Sequence, residues 1–119
     1  MKVNSISGFV CYVGDLAKTA EFYEAIGFRS GKQEPDRLTF YVNWFFLTFI
    51  GQDREDAELP SKGSGLYVHV KVDDLDDYHE AVVAKGLEPA SEPRVGHGGN
   101  REFVLRDPDG YNLVFFEKK

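Results

Sequence analysis

Between Leu66 and Gly86 the chain reads LYVHVKVDDLDDYHEAVVAKG, and its apolar period changes midway. Val68, Val70 and Val72 alternate with Tyr67, His69 and Lys71, the period of two that makes a strand with one apolar and one mixed face. Asp73-Asp74 ends the alternation. Leu75, Tyr78, Val82 and Val83 follow at helical spacing, and Gly86 stands just past the end. The same unit occurs earlier: Phe9, Cys11 and Val13 alternate with Gly8, Val10 and Tyr12, Asp15-Leu16 opens a helix carrying Ala20, Tyr23 and Ile26, and Gly27 closes it. Asp15 and Asp74, Leu16 and Leu75, and Gly27 and Gly86 are each 59 residues apart in a chain of 119, so the sequence predicts one strand–helix unit used twice. In each copy the Asp can accept from free N–H groups of the first turn, at the positive end of the helix dipole. The Gly takes the left-handed conformation cheaply, and the apolar residue after it, Phe28 or Leu87, can pack back on the helix.

The remaining segments predict antiparallel strands. Residues 28–35 are polar with one glycine and begin with room for a short strand. Residues 37–42 alternate, Asn43 interrupts, and residues 44–50, WFFLTFI, form a nearly continuous apolar run, which together predict a hairpin. A strand apolar on both faces needs cover on both, or one face lining a cavity. Residues 51–64 are charged, contain Pro60 and predict a linker. Residues 88–93, with two prolines, predict a loop or edge segment, and residues 94–100, RVGHGGN, a flexible loop. A strand over 101–106, a tight turn at Asp107-Pro108-Asp109-Gly110 and a last strand over 111–117 complete the chain. The expected fold is α+β: a single domain of two tandem βαβββ modules, about 1–57 and 64–119.

Composition narrows the function classes. A net charge of −6 disfavours a nucleic-acid surface, which needs clustered basic residues, while leaving a cationic ligand open. Cys11 is the only cysteine, so no intrachain disulfide forms, and its place on the apolar face suits a buried thiol in a reducing compartment. The first residues, MKVNSISGF, lack the apolar core of a secretion signal, and no apolar run reaches membrane-spanning length, so a cytoplasmic location is expected.

The runs VGDLAKTAEFYEAIGF (13–28), VDDLDDYHEAVVAKG (72–86) and REFVLRDPDGYNLVFFE (101–117), together with the repeat, resemble the vicinal oxygen chelate superfamily of glyoxalase I, bleomycin-resistance proteins and extradiol dioxygenases. The resemblance implies sheets that curl into a cup, helices outside, a ligand within, and a homodimer. It also implies four metal-ligand positions, which fall here on Gly8, Thr48, Tyr67 and Val114. Glycine and valine offer no donor atom, and tyrosine and threonine are poor ligands beside them. The usual metal site is therefore expected to be absent, with no cofactor in its place.

If those positions face the cup, alternation turns Val10, Tyr12, Trp44, Phe46, Ile50, His69, Lys71, Asn112 and Phe116 the same way, while the inward face of 101–106 stays open. The expected ligand-binding residues are Tyr12, Trp44, Phe46, Thr48, Tyr67, His69, Asn112 and Phe116, an aromatic wall with a few polar points, with Trp44 at the pocket mouth. No catalytic set is expected. The leading expectation is a metal-free protein of the bleomycin-resistance type that sequesters an aromatic or cationic compound, an antibiotic-resistance role. The alternative is a metal-dependent lyase, isomerase or dioxygenase with relocated ligands drawn from His69, His97 and Glu102. A third is a scaffold whose cup is filled and whose role is association.

Overall fold

Asp15 and Asp74 hold the starts of their helices in the same way. In the computed structural model, which describes residues 1–2, 4–51, 66–96 and 98–118, Asp15 precedes α1 (Leu16–Ala25) and accepts from Lys18 N at 3.1 Å. Asp74 precedes α2 (Leu75–Ala84) and accepts from Asp77 N at 3.1 Å. At the other ends Gly27 and Gly86 adopt φ of 97° and 85°, the region only glycine enters freely. After α1, Gly27 N donates to Glu24 O at 3.1 Å and Phe28 N to Tyr23 O at 3.0 Å. After α2, Gly86 N donates to Val83 O at 3.0 Å and Leu87 N to Val82 O at 3.3 Å. Both ends are Schellman motifs, so the repeat extends to individual hydrogen bonds.

The chain divides into two compact units, Met1–Leu59 and Pro60–Lys119. In the first, β1 (Gly8–Val13) runs parallel to β4 (Phe45–Gly51), and β3 (Arg37–Val42) and β2 (Arg29–Glu34) continue the sheet antiparallel, in the order β1-β4-β3-β2. In the second, β5 (Tyr67–Lys71) runs parallel to β8 (Asn112–Glu117), followed by β7 (Arg101–Arg106) and the two-residue β6 (Arg94–Val95), in the order β5-β8-β7-β6. Each unit is a βαβββ module, as the alternation of periods predicts, and the fold is α+β.

Each helix covers one face of its own sheet. Under α1 the buried residues are Cys11, Val13, Leu38, Phe40, Leu47 and Phe49, and Tyr23 sets its ring 4.6 Å from that of Phe49 and 5.2 Å from that of Phe28. Under α2 Phe103, Leu105, Leu113 and Phe115 are buried, with Tyr78 4.7 Å from Phe115 and His79 edge-on to Phe103 at 4.9 Å. Burial holds the Tyr78 phenol well above its ordinary pKa. Arg101 Nη1 and Nη2 donate to Asp76 at 2.8 and 3.0 Å, clamping β7 to the first turn of α2 and holding the Asp76 carboxyl below the usual carboxylate range.

Several expectations need correction. Trp44 does not begin a strand: Val42 pairs with Phe45, so Asn43 and Trp44 form the two-residue turn, with Asn43 at φ 55°. A strand start there would remove the turn that reverses the chain. Val83 is exposed, and Phe22 takes a buried place the period reading passed over. Residues 94–100 are not wholly loop, because Arg94 and Val95 pair with Glu102 and Arg101, and Gly96 N donates to Asn100 O at 2.9 Å. The linker beyond Gly51, through residue 65, and His97 lie outside the described residues.

The matched caps make a matched prediction. Asp15→Ala and Asp74→Ala should each lower stability by about 1 kcal/mol in urea melts. Gly27→Ala should cost about 1–2 kcal/mol for the left-handed φ alone, since no atom lies within 4 Å of an added Cβ.

Candidate functional site

The face of the first sheet turned away from α1 follows from alternation and register. Gly8, Phe46 and Tyr41 share one rung, Val10, Thr48 and Thr39 the next, and Tyr12, Ile50 and Arg37 the third. Val10 and Tyr12 are exposed, Phe46 is half-buried, and the Thr39 and Thr48 hydroxyls meet at 3.0 Å. The Arg29 guanidinium lies over the Tyr41 ring, 5.4 Å from its centre. Trp44 stands apart from these rungs, 66% exposed, edge-on to Phe45.

The corresponding face of the second sheet carries more charged and polar side chains. Tyr67, Asn112 and Arg106 share a rung, then His69, Val114 and Val104, then Lys71, Phe116, Glu102 and Arg94. The antiparallel pairing of Val104 with Val114 decides the question alternation left open: Glu102, Val104 and Arg106 face the same way as Tyr67 and His69. Ala90 N donates to Val104 O at 2.7 Å and Ser91 Oγ accepts from Val104 N at 3.0 Å, so the loop before β6 closes the edge of β7 and walls the face. The result is a pocket of about 600 Å³ with Val104 and Val114 as its floor and Tyr67, His69, Ser91, Arg94, Glu102 and Arg106 around it.

Two residues of this face are set by their neighbours. Asn112 is only 6% exposed; its Oδ1 accepts from Arg106 Nε at 3.1 Å and its Nδ2 donates to Leu66 O at 3.3 Å. Gly96 lies so close beneath the Glu102 carboxylate that a Cβ there would collide with it. Of the residues expected from sequence, the second sheet therefore gathers Tyr67, His69, Asn112 and Phe116 on one face, with Phe116 and His69 rings 6.0 Å apart. The first sheet gathers Tyr12, Phe46 and Thr48. Sequence reading misses Arg106 because a lone strand's alternation names two faces without saying which is which, and Arg94 because its segment reads as loop until it pairs with Glu102.

The metal-ligand positions do not fit a divalent ion. Val10 pairs with Thr48 and His69 with Val114, so Thr48 and Val114 occupy equivalent rungs of the two modules, as do Gly8 and Tyr67. At Gly8 a Cβ would strike the carbonyl and ring of Phe46, so any donor side chain there is excluded sterically as well as chemically. Val114 is an apolar floor residue, 3% exposed. Among the described residues no three His, Cys, Asp or Glu side chains stand close enough to hold a metal.

Two βαβββ modules, the second with a polar-rimmed pocket on its open sheet face, define the α+β fold class. The model of the Glyoxalase/Bleomycin resistance protein/Dioxygenase superfamily matches residues 5–115, and the chain belongs to that family. Its fold is similar to a protein from the mobile metagenome of V. pseudocholerae (24% identity, TM-score 0.79, covering 100% of this chain and 98% of that one). It is also similar to a glyoxalase/bleomycin resistance protein/dioxygenase from Nocardioides (22%, 0.80, covering 98% and 85%) and to lactoylglutathione lyase from Agrobacterium tumefaciens (18%, 0.73, covering 98% and 96%). No curated protein matches the chain.

Gly8→His should displace the Phe46 ring and cost about 1–3 kcal/mol in urea melts, without bringing zinc affinity detectable by calorimetry. Trp44→Ala, at an exposed turn, should change stability by no more than about 0.5 kcal/mol, far less than emptying a core site.

Proposed function

We propose that this chain is a metal-independent small-molecule-binding protein of the glyoxalase/bleomycin-resistance type, holding an aromatic compound against the open face of its second sheet and releasing it unchanged. One observation carries the reading: the pocket joins an apolar floor to a polar rim, at about 600 Å³, inside the range of about 300–1,000 Å³ that suits small ligands. Tyr67, 51% exposed at its edge, offers a ring for stacking. Two arginines weigh against the cationic ligand that the net charge leaves open. Sequestration of an antibiotic is one use of such binding. A cytoplasmic setting, which suits the buried thiol of Cys11, and a homodimer, as the resemblance implies, belong to the same reading, and sedimentation velocity tests the dimer. The alternative, a relocated metal centre, is favoured by His69 and Glu102 lining one pocket.

A thermal-shift screen of aromatic compounds in the presence of EDTA tests the proposal, because a ligand that binds only the folded state raises the melting temperature. The expected result is a shift that EDTA leaves intact. Tyr67→Ala should weaken binding by about 0.5–1.5 kcal/mol, the worth of an aromatic contact. A shift that EDTA abolishes and zinc or nickel restores would sink the metal-free reading in favour of the relocated centre.

A further inference from the structure

Net charge makes the arginines of the pocket unusual. The chain has 20 acidic against 14 basic residues, so a guanidinium has carboxylates to spare as partners. Arg37 uses them, meeting Asp36 at 3.3 Å and Glu34 at 3.7 Å, and Arg101 meets Asp76 and Glu117. Arg29 lies over Tyr41. Arg94 and Arg106 alone among the described arginines have neither a carboxylate nor a ring, and both line the same pocket. Glu102, which lines it too, makes no ion pair with either among the described residues.

Arg106 is also oriented. The one side-chain bond it makes runs from Nε to Oδ1 of Asn112, whose own position is fixed by burial and by its bond to the Leu66 carbonyl. Anchoring at Nε leaves the donors of both terminal nitrogens, the planar fork that matches an oxyanion in bidentate fashion. An arginine whose stem is already held loses less rotamer freedom on binding, which is the physical advantage of preorganisation.

We infer that the pocket takes a ligand carrying an oxyanion, a carboxylate or a phosphonate, on an aromatic or planar body, with Arg106 as its receptor, Arg94 as a second cation and Asn112 as the residue that positions Arg106. The inference rests on the binding reading above and names the chemical class that binding selects. Glu102 opposes it electrostatically, setting a limit on affinity and excluding ligands of high negative charge.

The test compares benzoate and phenylphosphonate with the neutral benzamide and the cationic benzylammonium, by titration of the full chain followed in ¹H–¹⁵N spectra. Benzoate or phenylphosphonate should bind about tenfold or more tighter than benzamide and shift the Arg106 and His69 signals, consistent with a charge-assisted bond. Arg106→Gln should abolish that preference, weakening benzoate at least tenfold more than benzamide, and Arg106→Lys should restore only part of it. Asn112→Ala should reduce the preference for benzoate over benzamide by severalfold, a difference that general loosening of the fold would not produce. Glu102→Gln should tighten benzoate binding severalfold. Benzamide or benzylammonium binding as tightly as benzoate at these residues overturns the oxyanion assignment and leaves small-molecule binding standing. If no probe of any charge shifts the pocket signals, the binding reading and the oxyanion assignment both fail.

Discussion

A single ten-residue helix can cover only one face of a four-stranded sheet, and each module of this protein has one such helix. Burial of Phe40, Phe49 and Tyr23 in one unit, and of Phe103, Phe115 and Leu75 in the other, fixes the helix on its sheet. Side chains alternate across a strand, so fastening one face determines what the other must carry. The open face is consequently a by-product of the core. Only part of it is buried, at Asn112 and Val114, and Tyr67, His69, Glu102 and Arg106 show what a chain can place beside them when hydrophobic burial is not the requirement.

The two open faces differ although the modules repeat. The first has Phe46 lying over Gly8, a threonine pair bonded to each other and an arginine stacked on Tyr41, so its polar groups find partners within the sheet. On the second, a buried asparagine orients an arginine that meets no carboxylate among the described residues, and Val104 and Val114 give a floor on which an apolar body can rest. The two modules share their caps and register, which folding needs, and differ at the open rungs. At the rungs where the resemblance implies metal ligands, Gly8 and Val114 offer no donor atom: a Cβ at Gly8 would strike Phe46, and Val114 is a buried floor residue.

The modules, the capping aspartates and the glycine stops were legible because each rests on contacts between residues close in sequence. An aspartate bonds to an N–H three residues on, and a Schellman glycine closes a turn already made. Alternation also separated Cys11 and Val13 from Val10 and Tyr12, since it is a property of one strand. It misplaced Trp44, where an apolar run continues through a turn: the residue is as apolar as the strand beside it, and only the pairing of Val42 with Phe45 excludes it.

By itself the sequence determined the α+β class, the twofold repeat, the ends of both helices and the lack of donor atoms at Gly8 and Val114, all of which depend on residue type and short spacing. The tertiary structure alone decided that β7 turns Glu102 and Arg106 toward His69, that the loop at Ala90 and Ser91 closes its edge, and that Asn112 holds Arg106. Those facts depend on which strands lie side by side and in what register. That is a long-range choice made by burial of the opposite face, and no local pattern in the chain encodes it.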